Sequence, residues 1–225
     1  MRAVLLDALG TLVRLEPPAP RLRRELAARF GLELSEVEAE RAIAAEIAYY
    51  RSHLDDGRDQ ATVAALRRRC AEALGAALPA RLARPPGGEL LEALLASLEF
   101  TVFADVRPAL TALRARGRAE RLVVVSNWDA SLNEVLERVG LTPLLDGVVT
   151  SAEAGARKPS PAIFQRGLVV AGVAASAAIH VGDTVEEDVA GARAAGVEPV
   201  LLRRDGGSRP PGVQVIAGLR ELLEL

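Results

Sequence analysis

The sequence predicts an α/β fold: a doubly wound parallel sheet (a Rossmann-like core) with an inserted all-helical segment. Three observations lead there. From about residue 100 onward, short apolar runs of strand length alternate with stretches of helical periodicity. Repeated strand–helix units of this kind lay their strands parallel. One further apolar run, Ala3 to Leu6, stands alone at the N-terminus, and between it and Phe100 the periodicity is helical throughout. The expected division is residues 1–15 with 99–225 as the α/β core and 16–98 as a helical insertion.

In the insertion, Leu22, Leu26 and Phe30 repeat at every fourth position. Ser35-Glu36-Val37-Glu38 is a capping box opening a long helix, with Ile43, Ile47, Tyr50 and Leu54 expected on its buried face. Val63, Leu66, Cys70 and Leu74 form a third stripe, and Leu90, Leu94 and Leu98 a fourth. Pro17-Pro18, Asp56-Gly57 and Pro85-Pro86-Gly87-Gly88 separate them. In the core, Val106, Leu110 and Leu113 make a helix expected to stop at Gly117. Leu122 to Val125 is continuously apolar, as a strand covered on both faces must be. A helix through Leu132, Val135, Leu136 and Val139 ends at Gly140, and a short strand spans residues 147–150. A helix after Pro161, a strand over 178–181, a helix ending at Gly196 and a strand over 199–202 follow. A short strand over 213–216 and a final helix close the pattern.

The chain has 225 residues, half of them apolar, and a net charge of −2. No basic stripe indicates nucleic acid, and no acidic tail indicates disorder. The single cysteine, Cys70, excludes an internal disulfide framework and reads as a small core residue. The N-terminal apolar run is short and interrupted by Asp7, unlike a signal peptide, and no stretch is long enough to span a bilayer. The expectation is a cytoplasmic protein acting on a small molecule, with no membrane or nucleic-acid partner; oligomeric state is not legible. There are 27 arginines and one lysine, Lys158. A compact ammonium fits where a planar guanidinium fork does not, so that one exception marks a candidate site.

Four strand ends carry polar residues. The first gives Asp7 with Thr11 nearby, the second Ser126-Asn127-Trp128-Asp129. The third is followed by Arg157-Lys158-Pro159, and the fourth gives Gly182-Asp183 with Glu186, Glu187 and Asp188 behind it. Each has a plain structural reading. An Asp after a strand caps a helix, Ser126 could cap the next helix, and acids in a first turn offset the helix dipole. In an open parallel sheet, however, ligands bind beyond the carboxyl ends of the strands, where all four converge.

DALGTL, VVVSN, RKPSPAIF and HVGDTVEED resemble the four motifs of haloacid dehalogenase-like hydrolases, in the same order. The helical insertion resembles that superfamily's cap. The resemblance implies a phosphatase-type site in which Asp7 is the nucleophile and Ser126 and the backbone near Asn127 bind the transferring group. Lys158 would hold Asp7 and that anionic group together. Asp7, the carbonyl of Leu9 and Asp183 would ligate Mg²⁺, with Asp188 beside the metal or its waters. Substrate would enter between cap and core. Arg51 could bind an anionic substrate, though a surface arginine is the plainer reading. Tyr49, Tyr50 and His53 read as packing, His180 as structural, Trp128 as lining the pocket mouth, and Arg203-Arg204-Asp205-Gly206-Gly207 as a surface turn.

At one position the chain departs from most phosphatases of the superfamily. They carry a second Asp two residues after the nucleophile, an acid–base group; here that residue is Leu9. Such a group contributes about 10²–10⁴-fold in rate. Three readings stay open: a phosphatase restricted to good leaving groups, a 2-haloacid dehalogenase, whose halide leaves without a proton, or a non-catalytic binding protein.

Overall fold

A computed structural model describes residues 2–83, 85–115 and 120–225. The chain divides into two compact units, Met1–Arg14 with Thr101–Leu225, and Leu15–Phe100.

The first unit opens with β1 (Arg2–Leu6). β2 (Val13–Leu15) then leads into the second unit, which holds α1 (Pro18–Phe30), α2 (Glu36–His53), α3 (Gln60–Ala77) and α4 (Gly87–Ser97). β3 (Phe100–Val102) returns and pairs with β2 as a two-stranded ribbon. The remaining elements are α5 (Val106–Ala115), β4 (Glu120–Ser126), α6 (Leu132–Arg138), β5 (Gly147–Thr150), α7 (Ser151–Ala154), α8 (Pro161–Ala171) and β6 (Ala178–Gly182). A π-turn over Val185–Val189 runs into α9 (Ala190–Ala194), then β7 (Glu198–Leu202), β8 (Gln214–Ile216) and a 3₁₀ turn over Leu219–Glu224.

Six strands form one parallel sheet in the order β5-β4-β1-β6-β7-β8. The chain builds outward from β1 to β4 and β5, then crosses back to β6 on the other side. β1 therefore lies where the strand order reverses, the place at which such sheets bind ligands. Leu122 to Val125 are all fully buried, as their unbroken apolar run requires. Alternate residues Ala3 and Leu5 of β1 and Val123 and Val125 of β4 share one face, packed with Ile163, Phe164 and Leu168 of α8. Burying each large apolar side chain contributes about 1.5–3 kcal/mol, which anchors the strand ends that follow.

The helical unit has its own core. Leu22 and Leu26, Ile43, Leu66, Cys70 and Leu74, and Leu90 and Leu94 form one cluster, so each helix contributes the stripe read from sequence. The Ser35 capping box is present, its hydroxyl accepting from the Glu38 N–H and Glu38 accepting from the Ser35 N–H.

Several elements differ from expectation. In α2 the buried face is Ala39, Ala42, Ile43 and Glu46; Ile47 and Tyr50 are half-buried, and Leu54 begins a separate 3₁₀ turn. Small alanines permit close helix approach, which turns the helix away from the face chosen by its largest side chains. The β2–β3 ribbon and α7 are too short to register as periodicity. The final helix is a 3₁₀ turn, and the expected stop at Gly117 lies outside the described residues.

Glu46 is buried in the helical core, where the Cys70 thiol hydrogen-bonds it. Burial pushes its carboxyl up to about 7, against the pull of that bond. A folded value above the unfolded one means this group's contribution is fully present below the ordinary glutamate range and is lost as pH rises through 7. Glu46→Gln is therefore expected to raise the Tm relative to wild type at pH 8.5, by the equivalent of about 2–3 kcal/mol, and far less at pH 5. An equal change at both pH values in thermal denaturation would contradict this placement.

Candidate active site

The sheet register brings the strand ends level. Leu6 of β1 pairs with Val124 of β4 and with Val181 of β6, and the Asp7 N–H donates to the Val181 carbonyl at 2.9 Å. Asp7, Ser126 and Asp183 thus leave three adjacent strands within a residue or two of one another. Lys158 arrives from the loop before α8.

Asp7 is buried, and its Oδ1 accepts from Lys158 Nζ at 2.5 Å and from Ser126 Oγ at 2.9 Å. Among the described residues no hydrogen bond reaches its Oδ2. Lys158, 3% exposed, also donates to Asp188 Oδ1 at 2.6 Å. One ammonium therefore bridges two buried carboxylates. Asp188 is saturated: Oδ1 also takes His180 Nε2 at 2.9 Å, and Oδ2 takes the Thr184 N–H at 3.0 Å and its hydroxyl at 2.7 Å. The π-turn supplies this geometry, placing Asp188 back over Thr184, a common use of π-turns at functional sites.

Asp183 is wedged against the loop after β1. Gly10 has φ +86° there, and a Cβ at Gly10 would overlap the Asp183 carboxylate. Glycine is thus required for two reasons, backbone conformation and close approach. Oxygens of Asp7, Asp183 and Asp188 all lie within 4.8 Å of one another. Three carboxylates face one lysine, so the cluster carries excess negative charge. Burial, then the charges of Asp7 and Asp188, push Asp183 up to about 6. Burial also raises Asp7; Lys158 pulls it down and Asp188 pushes it further up. Burial alone would raise Asp188, but Lys158 and His180 hold it well below the carboxylate range. Burial disfavours the Lys158 charge, but Asp7 and Asp188 outweigh it and raise its value. Surplus carboxylate charge and hard oxygen donors suit a small divalent cation. Asp188 has Oδ1 committed to Lys158 and His180 and Oδ2 to Thr184, which leaves Asp7 and Asp183 as the candidate ligands.

The other expected residues fall as follows. Asn127 does not point an idle amide at the site. Its Oδ1 accepts from the Lys158 N–H at 2.7 Å, and its Nδ2 donates to the Lys158 carbonyl at 3.1 Å and to Glu187 at 3.0 Å. It clasps the Lys158 loop. Thr11 is fully buried, its hydroxyl without a partner among the described residues and its carbonyl accepting from Arg204 at 2.8 Å, so its side chain presents no donor at the surface. Leu9 is 40% exposed on the loop after Asp7. Arg51 lies exposed in the last turn of α2, in the helical unit. Trp128 is buried.

Sequence reasoning missed the supporting arginines. The segment expected to be a surface turn buttresses the site: Arg203 donates to the Asp183 carbonyl, and Arg204 joins Thr11 to Asp105 at 2.7 Å while stacking on Phe103 at 4.1 Å. It also missed Asp188's partners. His180 and Gly182 share a face of β6, where a Cβ at Gly182 would overlap Asp188, but the π-turn that brings Asp188 there leaves no periodic mark in the sequence.

Removing Lys158 would leave two buried carboxylates without their cation. Lys158→Met is expected to lower stability by about 3–5 kcal/mol in urea denaturation at neutral pH. A loss below about 1 kcal/mol would show that Asp7 and Asp188 do not share a buried ammonium.

A family profile described as haloacid dehalogenase-like hydrolase matches residues 1–196. Among curated relatives, haloacid dehalogenase-like hydrolase domain-containing protein 3 of Bos taurus is 44% identical over 87 residues, 39% of this chain and 35% of that one. Ribulose-1,5-bisphosphate 5-phosphatase of Halopiger xanaduensis is 36% identical over 105 residues, 46% of this chain and 43% of that one. The matches thus span less than half the length of these relatives. Among solved structures, a HAD phosphatase from Thermococcus onnurineus superposes with TM-score 0.66 at 28% identity, covering 100% of this chain and 97% of that one. A 2-haloacid dehalogenase from Pseudomonas syringae does so with TM-score 0.69 at 25% identity and the same coverages. No described helix is long and apolar enough to cross a membrane. The strand ends, the order of the motifs and the match across most of the chain agree: this protein belongs to the haloacid dehalogenase-like hydrolase family.

Proposed function

We propose that this chain is a Mg²⁺-dependent phosphatase of small phosphorylated metabolites, acting through an aspartyl-phosphate at Asp7 and selective for good leaving groups. The observation that carries the reading is the asymmetry of the Asp7 carboxylate. Oδ1 is fixed by Lys158 and Ser126, and among the described residues Oδ2 takes no hydrogen bond. A nucleophile oriented through one oxygen is free to attack with the other.

In this reading Oδ2 of Asp7 attacks phosphorus, and the bond from phosphorus to the leaving oxygen breaks with its electron pair. Lys158 and Ser126 orient the carboxylate and face the transferring group's negative charge. Asp7, Asp183 and the Leu9 carbonyl would hold Mg²⁺, which supplies positive charge against two anions that repel. Water then attacks the aspartyl phosphate, regenerating the carboxylate and releasing dihydrogen phosphate. An acyl phosphate completes both steps without a protonated leaving group. An alkyl ester needs a proton that Leu9 cannot donate. The phosphatase-named relatives support a small phosphorylated substrate. Arg51 is the candidate of the helical unit for substrate choice, and the cytoplasm is the expected setting.

A dehalogenase reading has Leu9 and the Pseudomonas syringae likeness in its favour. Against it stands Asp183, pressed onto Gly10 in a surplus of carboxylates that a metal-free reaction does not need.

The test is hydrolysis of acetyl phosphate and an alkyl phosphate with and without Mg²⁺, beside chloride release from 2-chloropropionate. Mg²⁺-dependent turnover of acetyl phosphate, abolished by Asp7→Asn, is expected. Leu9→Asp should raise the alkyl ester rate by about tenfold or more. Metal-independent chloride release, or no turnover of any substrate, would overturn the reading.

A further inference from the structure

The buried charged network does not end at Asp188. It continues to His180, on β6, which is fully buried. Phe164 meets the imidazole edge-on, ring centroids 4.9 Å apart and planes at 88°. Nε2 lies 2.9 Å from Asp188 Oδ1, and Nδ1 has no partner among the described residues. An ionised carboxylate oxygen can only accept, so the bond to Asp188 Oδ1 is donated by an N–H on Nε2.

The consequence lies two bonds away. Lys158 has a flexible four-carbon stem, and its ammonium stays on Asp7 only if something holds it there. That anchor is Asp188 Oδ1, which accepts from Lys158 at 2.6 Å and from His180 at 2.9 Å. Thr184 holds the opposite oxygen through its N–H and its hydroxyl. Donors on both oxygens prevent the carboxylate from turning. With Thr184 alone, Oδ1 would be steered only by Lys158, the group it is supposed to steer. A strand position inside an apolar core is ordinarily filled by Val, Leu or Ile. A histidine there leaves one nitrogen unsatisfied, and its return is the bond to Asp188.

We propose that His180 is a positioning residue for the Asp7 nucleophile, acting through Asp188 and Lys158 without touching the reacting group. The inference rests on the reading of Asp7 as a phosphatase nucleophile.

Two substitutions separate positioning from bulk packing. His180→Gln keeps an N–H near the place of Nε2; His180→Leu fills the space with no donor. On acetyl phosphate with Mg²⁺, His180→Leu is expected to lower kcat by about tenfold or more while KM changes by less than about threefold, and His180→Gln to recover most of the loss. A smaller fall in kcat, a loss residing mainly in KM, or no recovery by Gln overturns the proposal. Two measurements stand apart from activity. Nitrogen-15 NMR of the wild-type chain should find Nε2 protonated, and a proton on Nδ1 alone overturns the proposal. A crystal structure of His180→Leu should find Lys158 Nζ beyond hydrogen-bond distance of Asp7, and an unmoved Nζ overturns it. If wild-type protein releases no phosphate, the phosphatase reading fails, while these two measurements still decide the place of His180.

Discussion

One ammonium shared between two buried carboxylates is the interaction on which the rest of this site depends. Lys158 reaches Asp7 and Asp188 at 2.5 and 2.6 Å with almost no solvent access. Neither acid is affordable in the interior without it, and a single positive charge does not balance both. The two acids are not equivalent. Among the described residues, Asp188 takes four hydrogen bonds and holds its charge firmly; Asp7 takes two, both on one oxygen. The better-satisfied acid fixes the lysine, and the less-satisfied one keeps an oxygen available for chemistry. Asp183 adds a third negative group, and the resulting excess is what a divalent cation would neutralise.

The sheet makes this arrangement rigid. Asp7, Ser126 and Asp183 are placed by three adjacent parallel strands whose apolar bodies are buried, so their ends move little relative to one another. Loops supply the remainder, and each is tied down. Asn127 grips the Lys158 backbone on both its N–H and its carbonyl, Arg203 holds the Asp183 carbonyl, and Arg204 holds that of Thr11. Gly10 allows the loop after β1 to lie against Asp183. Most polar residues around the site thus serve to hold a few others still, as a preorganised electrostatic site requires.

Much of this was legible in the residues alone, for physical reasons. Leu122–Val125 is apolar without interruption because both its faces are covered, and Leu22, Leu26, Leu66, Cys70 and Leu74 keep helical spacing because each helix buries one stripe. Strand ends carrying Asp7, Ser126 and Asp183 could be placed together because parallel topology leaves little choice. What stayed hidden depends on contacts between distant segments. Arg203 and Arg204 sit beside Asp-Gly-Gly and read as a solvated turn; only the fold reveals that they reach back to Asp183 and Thr11. Glu46 lies on a helix where glutamate is ordinarily solvated, and the small residues Ala39 and Ala42 turned its face inward. His180 could be read as buried, but its bond to Asp188 requires the π-turn, which no periodicity announces.

Leu9 sharpens the chemical question, since in the proposed reading it removes the proton donor but leaves Asp7, its counter-charge and its carboxylate neighbours in place. The account then turns on whether Asp7 forms a covalent bond to phosphorus. The direct measurement is acid-quenched mass spectrometry of the full chain after brief mixing with acetyl phosphate and Mg²⁺. A single phosphoryl group on the peptide carrying Asp7, absent when Mg²⁺ is withheld, is the predicted result. No phosphoryl group on that peptide while phosphate is being released, or one carried by a different residue, would contradict it.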